Sequence, residues 1–536
     1  MSDSERLWWE QLQAASAVVR ESRGPRVVAV VANSAKDAAY WDARLRATAS
    51  ELYNADAPTR VLGIAEAKPL GNLYGTIAAW QQLERAHPGA LRDGGIGLLS
   101  IAIGKGTRLS PFTQALGNRK AAFPTPRTFR DPRAGRVAIS ELANWALHAT
   151  LATLADAGFR GLVVKWGDEA IVPDRVTVPP KLRLAECDVI RFASAAQPTE
   201  ELAIHKEWLV SHPITGLLLD EIPRQPLAEL WRRLEAFVWH STASVNLGSF
   251  CASPQFFAAL AGAFDEPLAA TRRGPDWDPW FWVAWCCRDA AAWERQREAA
   301  HGRQGIAQLE THTPDFFARI TDAKARFRAA HGRSVRVGVV DLGNTLWVDF
   351  GNHAALCDHW NALRAADGHA RVLRALYDLP EARDARGNIV ARGTIEDGAD
   401  VRDSVVVDAV VPRGSVIRGG IVIGASCGRI EMPRGGAVVE SRLDTLVTEG
   451  PNAVSFRSLG DSLTLEDGEK HTTLALPDRV IQLSGSESIR DYSGANYSEP
   501  VLGNPVSFEE AGRIMEAFSL DEIVAMRAAH QGGARS

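Results

Sequence analysis

The chain has few of the residues that mark a disulfide framework or a structural metal site. Its 536 residues include only six cysteines. They are scattered without metal-ligand spacing, and the adjacent pair Cys286 and Cys287 suits neither a zinc knuckle nor a set of bridges. We interpret them as reduced core thiols of a cytoplasmic protein.

An excess of charge of one sign is also missing. The formal net charge of -5 is small for this length and gives no reason to expect a nucleic acid or an anionic membrane as a partner. No apolar run is long enough to predict a transmembrane span, and the polar start MSDSERLWWEQLQAA predicts no secretory signal. We expect a cytoplasmic protein that gathers positive charge locally if its substrate is anionic.

The length and the hydrophobic fraction of 46% are sufficient for two or three domains. From Pro25 to about Ala330, short β-rich runs such as Val27–Val31 and Ile96–Ile103 alternate with helical stretches. This alternation predicts an α/β domain with a mostly parallel, mixed sheet and helices on both faces. The last strands of that sheet are predicted near Val335–Val340 and Leu346–Phe350.

From Ile389 the helical periodicity gives way to a pattern rich in Gly, Asp and Val. Apolar residues recur with a six-residue spacing at Ile395 and Val401, and then at Val405, Val411, Ile417 and Ile423. This spacing predicts a left-handed parallel β-helix over residues 386–450, and the alternative is an irregular β-rich linker. A C-terminal extension over residues 451–536 ends in one amphipathic helix, which we expect to pack on a neighbouring element or on another subunit.

The most informative segment is Leu98–Pro124, LLSIAIGKGTRLSPFTQALGNRKAAFP. A buried strand leads into a turn of Gly104, Lys105, Gly106 and Thr107. Glycines at a strand end let backbone N–H groups turn inward and form a concave anion site. Arg108 can add a bidentate phosphate contact, and Lys120 adds a point charge. The segment is not a P-loop, because no Gly-Lys-Ser/Thr opens a helix here.

The string Gly-x-Gly-Thr-Arg-Leu-x-Pro-x-Thr, followed by a Lys, resembles the nucleotide-binding loop of the sugar-1-phosphate nucleotidyltransferases. The resemblance covers about residues 95–450. It implies a Rossmann-like, GT-A-like catalytic domain within residues 1–385, of which residues 1–94 form an N-terminal βα extension, and a left-handed β-helix behind it. It also implies an enzyme that joins a nucleoside triphosphate to a sugar 1-phosphate, with residues 104–107 on the nucleotide and Arg108 and Lys120 in catalysis.

Phosphoryl chemistry of this kind needs a divalent cation to offset the charge of the triphosphate. Asp168, in LVVKWGDEAIV, and Asp349, in LWVDFGNHAAL, both follow predicted strands. Either one alone would be interpreted as a cap or turn residue. The family pattern has a Gly-Asp after a strand and a Trp-x-Asp-x-Gly-Thr before a helix, so the resemblance implies that both aspartates hold Mg²⁺. Asp341 and Glu169 are alternatives.

The sugar-binding residues are also implied by the resemblance. The segment VNLGSF resembles the family's Asn-x-Gly, so Asn246 and Gly248 are candidates for the sugar hydroxyls, since Asn offers both a donor and an acceptor. Glu221 and Arg224 stand at the family's Glu-Lys-Pro, which here reads Glu-Ile-Pro-Arg. A glycine bulge in a strand is the alternative for Gly248, and the nearby Trp277–Trp282 cluster is expected to pack in the core.

Four departures from the family pattern leave other functions open. They are Ile103 for Gly, Arg119 for Pro, Ile222 for Lys and Asn352 for Thr, of which Ile103, Ile222 and Asn352 favour a chain without catalytic activity. A non-catalytic regulatory or assembly homologue is therefore one alternative. An acyltransferase in the β-helix is another, although residues 389–447 lack the usual His, and the next one, His471, is expected outside the repeat.

Two further expectations concern the N-terminal part and the assembly. Residues 70–76, LGNLYGT, resemble the base-proximal Gly-Thr segment of the family, in an order found in fucose-1-phosphate guanylyltransferases. A simple surface loop is the alternative. We also expect a homo-oligomer, formed through the β-helix or through the last helix.

Overall fold

A computed structural model describes residues 1–66, 68, 70–91, 95–237, 241–300, 306, 309, 313–489 and 492–532. The described chain consists of an α/β region, a stack of short parallel strands and two closing helices. No helix in these ranges is long and apolar enough to cross a membrane.

The strands of the α/β region are numbered in chain order. They are β1 (Val27–Ala32), β2 (Arg60–Ala65), β3 (Ile96–Ile101), β4 (Pro124–Thr128), β5 (Arg136–Ala138), β6 (Gly161–Trp166), β7 (Glu169–Pro173), β8 (Val189–Ser194), β9 (Trp208–Ser211), β10 (Leu218–Ile222), β11 (Thr242–Ala252), β12 (Val337–Asp341) and β13 (Thr345–Asp349). The longer helices around them are Asp3–Arg20, Ala35–Leu52, Asn72–Ala86, Ile139–Ala146, His148–Asp156, Leu227–Leu234, Pro254–Ala263, Ala290–Ala299, Phe316–His331, His353–Ala362 and Gly368–Leu376. Shorter helices are Glu200–His205, Asp265–Ala269 and Trp282–Cys286.

Nine strands form one mixed sheet. Strands β2, β1, β3 and β6 are parallel neighbours in that order, and β11 pairs antiparallel with β6. Beyond β11 the sheet divides, because β8 and β9 both pair with β11, and then β12 continues from β8 and β10 from β9. The mixed α/β class predicted from the sequence is confirmed.

Every residue of β1 and β3 is buried, as expected for parallel strands covered on both faces. One hydrophobic cluster includes Trp41 and Phe112, and a second, built from other residues of the same strands, includes Trp80 and Phe256. The Trp277–Trp282 segment belongs to the second cluster, so core packing is confirmed for its tryptophans.

The parallel stack begins at Ile389. Its strands are β14 (Ile389–Ala391), β15 (Thr394–Ile395), β16 (Asp400–Arg402), β17 (Val405–Val407), β18 (Val410–Val411), β19 (Val416–Arg418), β20 (Gly420–Ile423), β21 (Ser426–Met432), β22 (Gly436–Val439), β23 (Arg442–Thr448), β24 (Val454–Phe456), β25 (Leu459–Leu465), β26 (Glu469–Ala475) and β27 (Val480–Ser486). Val405 pairs with Ile389 on one side and Ile421 on the other, so equivalent positions of successive coils lie 16 residues apart there.

This pairing is that of a parallel β-helix, as the six-residue spacing predicted. The spaced apolar residues fall in successive strands from β15 to β20, and all but Ile395 are buried. Parallel pairing continues to β26, past residue 450 where the sequence pattern fades, and β27 ends the stack by pairing antiparallel with β26. The left-handed sense of the coil stays a prediction.

The C-terminal segment forms two helices, Phe508–Glu516 and Leu520–Gly532, where the sequence predicted one. The chain breaks between them because Ser519 caps the second helix, accepting a hydrogen bond from Glu522 N at 3.2 Å. Their apolar residues Phe508, Met515 and Ile523 are buried in the core of their own chain. That face therefore packs on a neighbouring element of the same chain.

Arg119, which stands where the related pattern has Pro, holds these helices to the α/β region. Its buried guanidinium pairs with Asp37 of the helix Ala35–Leu52. The same group donates to the carbonyl of Phe518 at 2.7 Å, between the two C-terminal helices. Arg119 thus has a structural role in this chain, because it links the C-terminal helices to the helix Ala35–Leu52.

Candidate active site

The turns that follow β3 and β6 lie side by side. The two strands are parallel with Ile101 opposite Trp166, and Gly167 N donates to Ile101 O at 3.0 Å. A cavity of about 230 Å³ lies at these carboxyl ends, which is where open α/β sheets bind ligands. It is lined by Ile101, Ala102, Ile103, Gly104, Gly106, Thr107, Arg108, Lys120, Ala121, Gly167 and Asp168.

The glycine-rich turn is fixed by contacts on both sides. Gly104 N donates to the side-chain oxygen of Asn33 at 3.2 Å, and Gly106 O accepts from the hydroxyl of Thr113 at 3.2 Å. Gly106 has a φ of 64°, and a Cβ there would lie 2.8 Å from Cβ of Lys120. A glycine at 106 therefore allows the turn to approach Lys120. Lys105 does not line the cavity.

Two of the predicted site residues contact each other directly. Nζ of Lys120 forms an ion pair with the carboxylate of Asp168, which follows β6 and lies half-buried at the cavity wall. Lys120 itself lies in a short 3-10 turn, Lys120–Ala122, immediately before β4. The lysine of the glycine-rich segment, Lys120, is thus ion-paired with Asp168, one of the two aspartates predicted to bind a metal ion.

Asp349 joins this group through the pairing of β7 with β13. Asp349 is opposite Glu169 in that antiparallel pair, and Phe350 N donates to Asp168 O at 3.2 Å. A Cβ on Gly351 would lie 2.6 Å from Oδ1 of Asp349 and 3.0 Å from Nη2 of Arg108. The absence of a side chain at 351 therefore lets Arg108 approach Asp349.

Asn352, which replaces Thr of the family pattern, caps the following helix. Its side-chain oxygen accepts from Ala355 N at 2.9 Å at the start of His353–Ala362. Asp341, the alternative ligand, accepts from Ala195 N at 3.0 Å and Gly343 N at 2.9 Å. Both residues thus stabilise local backbone turns.

Three further charged side chains lie close to the two aspartates, namely Glu169, Lys165 and Lys206. Burial raises the pKa of Glu169, and the charge of Asp168 raises it further. Burial lowers the pKa of Lys165, whose Nζ donates to the carbonyls of Trp166 and Glu169. Lys206 stacks over the Trp347 ring at 3.5 Å, and burial lowers its pKa although Glu169 raises it. These carboxylates and lysines therefore determine the electrostatic potential at Asp168 and Asp349.

The donor set fits Mg²⁺, which commonly takes one or two carboxylates together with waters and substrate oxygens. Asp168 and Asp349 offer two carboxylates at adjacent strand ends, both half-buried. Among the residues that the structure describes, no three His, Cys, Asp or Glu side chains are grouped to hold a metal ion. A cation here would need substrate oxygens to complete its coordination.

The residues predicted to contact a sugar lie on β11, on β10 and just after β10. The pairing of β11 with β8 shifts register between Asn246 and Phe250, and Gly248 in that bulge has a φ of 74°. Asn246 donates to Oδ1 of Asp278 at 3.1 Å and accepts from Gly248 N at 3.0 Å. The glycine bulge that was the alternative for Gly248 is present, and the side chain of Asn246 stabilises it by accepting from Gly248 N.

Glu221 lies inside the protein. Its side chain is fully buried and pairs with Arg191 at 2.7 Å, and Arg191 also pairs with Asp278 at 2.6 Å. Burial raises the pKa of Glu221 well above its usual range, although Arg191 lowers it. Glu221 is therefore connected to Asn246 and the bulge only indirectly, by the ion pairs of Arg191 with Glu221 and Asp278. Arg224 remains exposed and pairs with Glu207 at 2.7 Å.

Replacing Arg191 with Met is expected to lower the free energy of unfolding by about 3 to 5 kcal/mol, because two carboxylates would lose a buried partner. Urea unfolding followed by tryptophan fluorescence measures this. The matched control is Arg183→Met, which removes an exposed pair with Glu186 and should leave the unfolding midpoint unchanged. Equal midpoints for both variants would contradict the expected role of Arg191.

The structure also describes residues 70–76 and His471, for which the sequence made predictions. Residues 70–76 lead into the helix Asn72–Ala86, where Asn72 and Thr76 accept hydrogen bonds from the backbone and indole N–H of buried Trp277. This segment is anchored to the core. His471, expected outside the repeat, lies within the stack on β26, where Nδ1 is 2.8 Å from Oγ of Ser458 and burial lowers its pKa to about 4.

No protein-family model and no curated protein matches the chain. Among solved structures, it is similar to the inositol-1-phosphate CTP transferase from T. maritima, with 10% sequence identity and a TM-score of 0.20. The match covers 66% of this chain and 96% of that chain. A TM-score of this size does not establish a common fold.

Proposed function

We propose that the chain is a nucleotidyltransferase that condenses a nucleoside triphosphate with a sugar 1-phosphate, giving a nucleotide sugar and pyrophosphate. The observation that carries the proposal is the convergence of the glycine-rich turn, Arg108, Lys120 and Asp168 on one cavity, with Asp349 beside Arg108. A cationic, glycine-lined cavity next to two carboxylates suits a substrate with several phosphates and a bound cation.

In this reaction Gly104, Gly106 and Thr107 bound the space for the triphosphate. Arg108 is exposed and can direct two parallel N–H groups to phosphate oxygens. Lys120, which is paired with Asp168 in this structure, adds a second positive charge within the same cavity. These residues position the phosphates and neutralise charge, which are the main sources of catalysis in phosphoryl transfer.

The bond changes follow from the substrates. An oxygen of the sugar 1-phosphate attacks the α-phosphorus in line, and the bond from that phosphorus to the β-phosphate oxygen breaks. Pyrophosphate leaves with the electron pair. The attacking group is already an anion, so no general base is required. Asp168 and Asp349 would hold Mg²⁺, which when bound offsets charge on the triphosphate.

The sugar is expected at the bulge of β11, beside the carboxyl end of β6. Gly248 and Asn246 lie there, and Arg224 is an exposed cation that can replace the missing lysine of the family pattern. Glu221 would act through Arg191 and Asp278 rather than by touching the sugar. A cytoplasmic location and a homo-oligomer remain predictions.

Pyrophosphate release in the presence of Mg²⁺ tests the proposal. The four ribonucleoside triphosphates and dTTP are each combined with a panel of sugar 1-phosphates. We expect release that requires one triphosphate and one sugar phosphate together. No release by a chain that still binds nucleotide would reject the enzyme and favour the regulatory homologue.

A further inference from the structure

A second cavity, of about 400 Å³, lies between the first helix, the strand β4 and the start of the β-helix. Its residues are not those of the candidate active site. Its charged lining consists of Arg20, Glu51, Arg127, Arg130, Asp378 and Arg392. Four arginines against two carboxylates give this cavity a positive balance.

Arg127 is the half-buried arginine of this cavity, whereas its other three arginines are exposed. Its guanidinium stacks over the ring of buried Trp145, with Cζ 4.0 Å from the ring centroid. Within the described part of the chain, Arg127 has no carboxylate within ion-pair distance and makes no side-chain hydrogen bond. Burial lowers its pKa, and Asp378 and Glu51 oppose that shift from a distance. This half-buried guanidinium therefore has no counter-ion in direct contact.

Neither carboxylate of the cavity, Glu51 or Asp378, forms an ion pair with Arg127 among the described residues. Both oxygens of Glu51 accept from the backbone N–H of Arg130, at 3.2 and 3.0 Å. Arg392 is already paired with Asp408 at 2.8 Å. The side chains of Arg20 and Arg130 have no ion pair among the described residues. Three arginines at this cavity therefore have no paired carboxylate.

We propose that this cavity binds a small phosphorylated anion, whose phosphate group lies between Arg127, Arg20 and Arg130. Its position over the Trp145 ring restricts the Arg127 guanidinium, so that less freedom is lost when its N–H groups bind phosphate oxygens. The volume suits a metabolite-sized ligand. The site is independent of the proposed function, because none of its residues lines the cavity at Arg108.

The probe is inorganic pyrophosphate, titrated into the full chain by isothermal calorimetry. The chain carries Arg108→Ala in every arm, which weakens phosphate binding at the candidate active site. Arg127→Gln and Arg20→Gln are each added, and Arg133→Gln is the matched control, since Arg133 lies three residues from Arg130 but does not line the cavity.

We expect affinity to fall about tenfold or more with Arg127→Gln and with Arg20→Gln, since each removes a charge-assisted contact. Arg133→Gln should bind as the parent does. Because Arg20 is exposed at a helix end, its variant keeps the test valid if Arg127→Gln does not fold. Equal affinity in all variants, or no binding by the parent, would overturn the proposal.

Discussion

Replacement of Arg108 with Ala is expected to lower kcat for nucleotide-sugar formation by about 10² to 10³-fold. Arg108 is the guanidinium at the cavity of the glycine-rich turn, and it lies next to Asp349. Because the side chain is exposed, its removal leaves no cavity in the core and should not change the thermal unfolding midpoint. Steady-state kinetics with saturating substrates measure the effect.

Arg160→Ala is the matched control for Arg108. Arg160 precedes β6 at its amino end, opposite to the candidate site, and its guanidinium donates to the carbonyls of Ala155 and Phe159. We expect kcat of this variant to equal that of the unaltered chain. An Arg108→Ala enzyme with unchanged kcat would remove Arg108 from the mechanism.

Asp349→Asn is expected to lower the Mg²⁺-dependent rate by about a hundredfold or more, because a carboxylate ligand becomes a neutral amide. The Asn oxygen can still accept from Gly351 N, as Oδ1 of Asp349 does at 2.6 Å, so the local turn is preserved. The rate is measured as a function of Mg²⁺ concentration.

Asp341→Asn serves as the control for that variant. Asp341 also ends a strand and also accepts from backbone N–H groups, but these belong to a turn at Ala195 and Gly343. Its Mg²⁺ dependence should match that of the unaltered chain. A normal rate and normal Mg²⁺ dependence for Asp349→Asn would reject Asp349 as a metal ligand.

The features predictable from the sequence are those encoded by neighbouring residues. The buried strand β3 and the turn after it were predicted because an apolar run precedes Gly104 and Gly106. The six-residue spacing between Ile395 and Ile423 predicts the first coils of the β-helix, because this pattern too lies within a short stretch of sequence.

The end of the β-helix could not be found from an apolar pattern. Its last coils mix buried serines with apolar residues, since Ser441, Ser455 and Ser458 are buried and bonded to one another beside buried Val454 and Phe456. His471 continues this chain of hydrogen bonds on β26. The apolar spacing therefore fades while parallel pairing continues.

Contacts between distant parts of the chain were missed as well. Glu221 is buried because Arg191, on another strand, pairs with it, and no local pattern indicates that partner. Lys206 lies over the ring of Trp347, on a distant strand, and no local pattern indicates that contact. Asn33 had a usable signal, since it follows the buried strand β1 at the carboxyl edge where ligands bind.

The most direct test of the proposed reaction follows the α-phosphorus. The chain is incubated with Mg²⁺, a sugar 1-phosphate and a nucleoside triphosphate labelled at the α-phosphate, and the products are separated. The proposed mechanism predicts that the label appears in a nucleotide sugar, with unlabelled pyrophosphate formed in equal amount. Label found only in free nucleotide, or left in the triphosphate, would contradict nucleotidyl transfer.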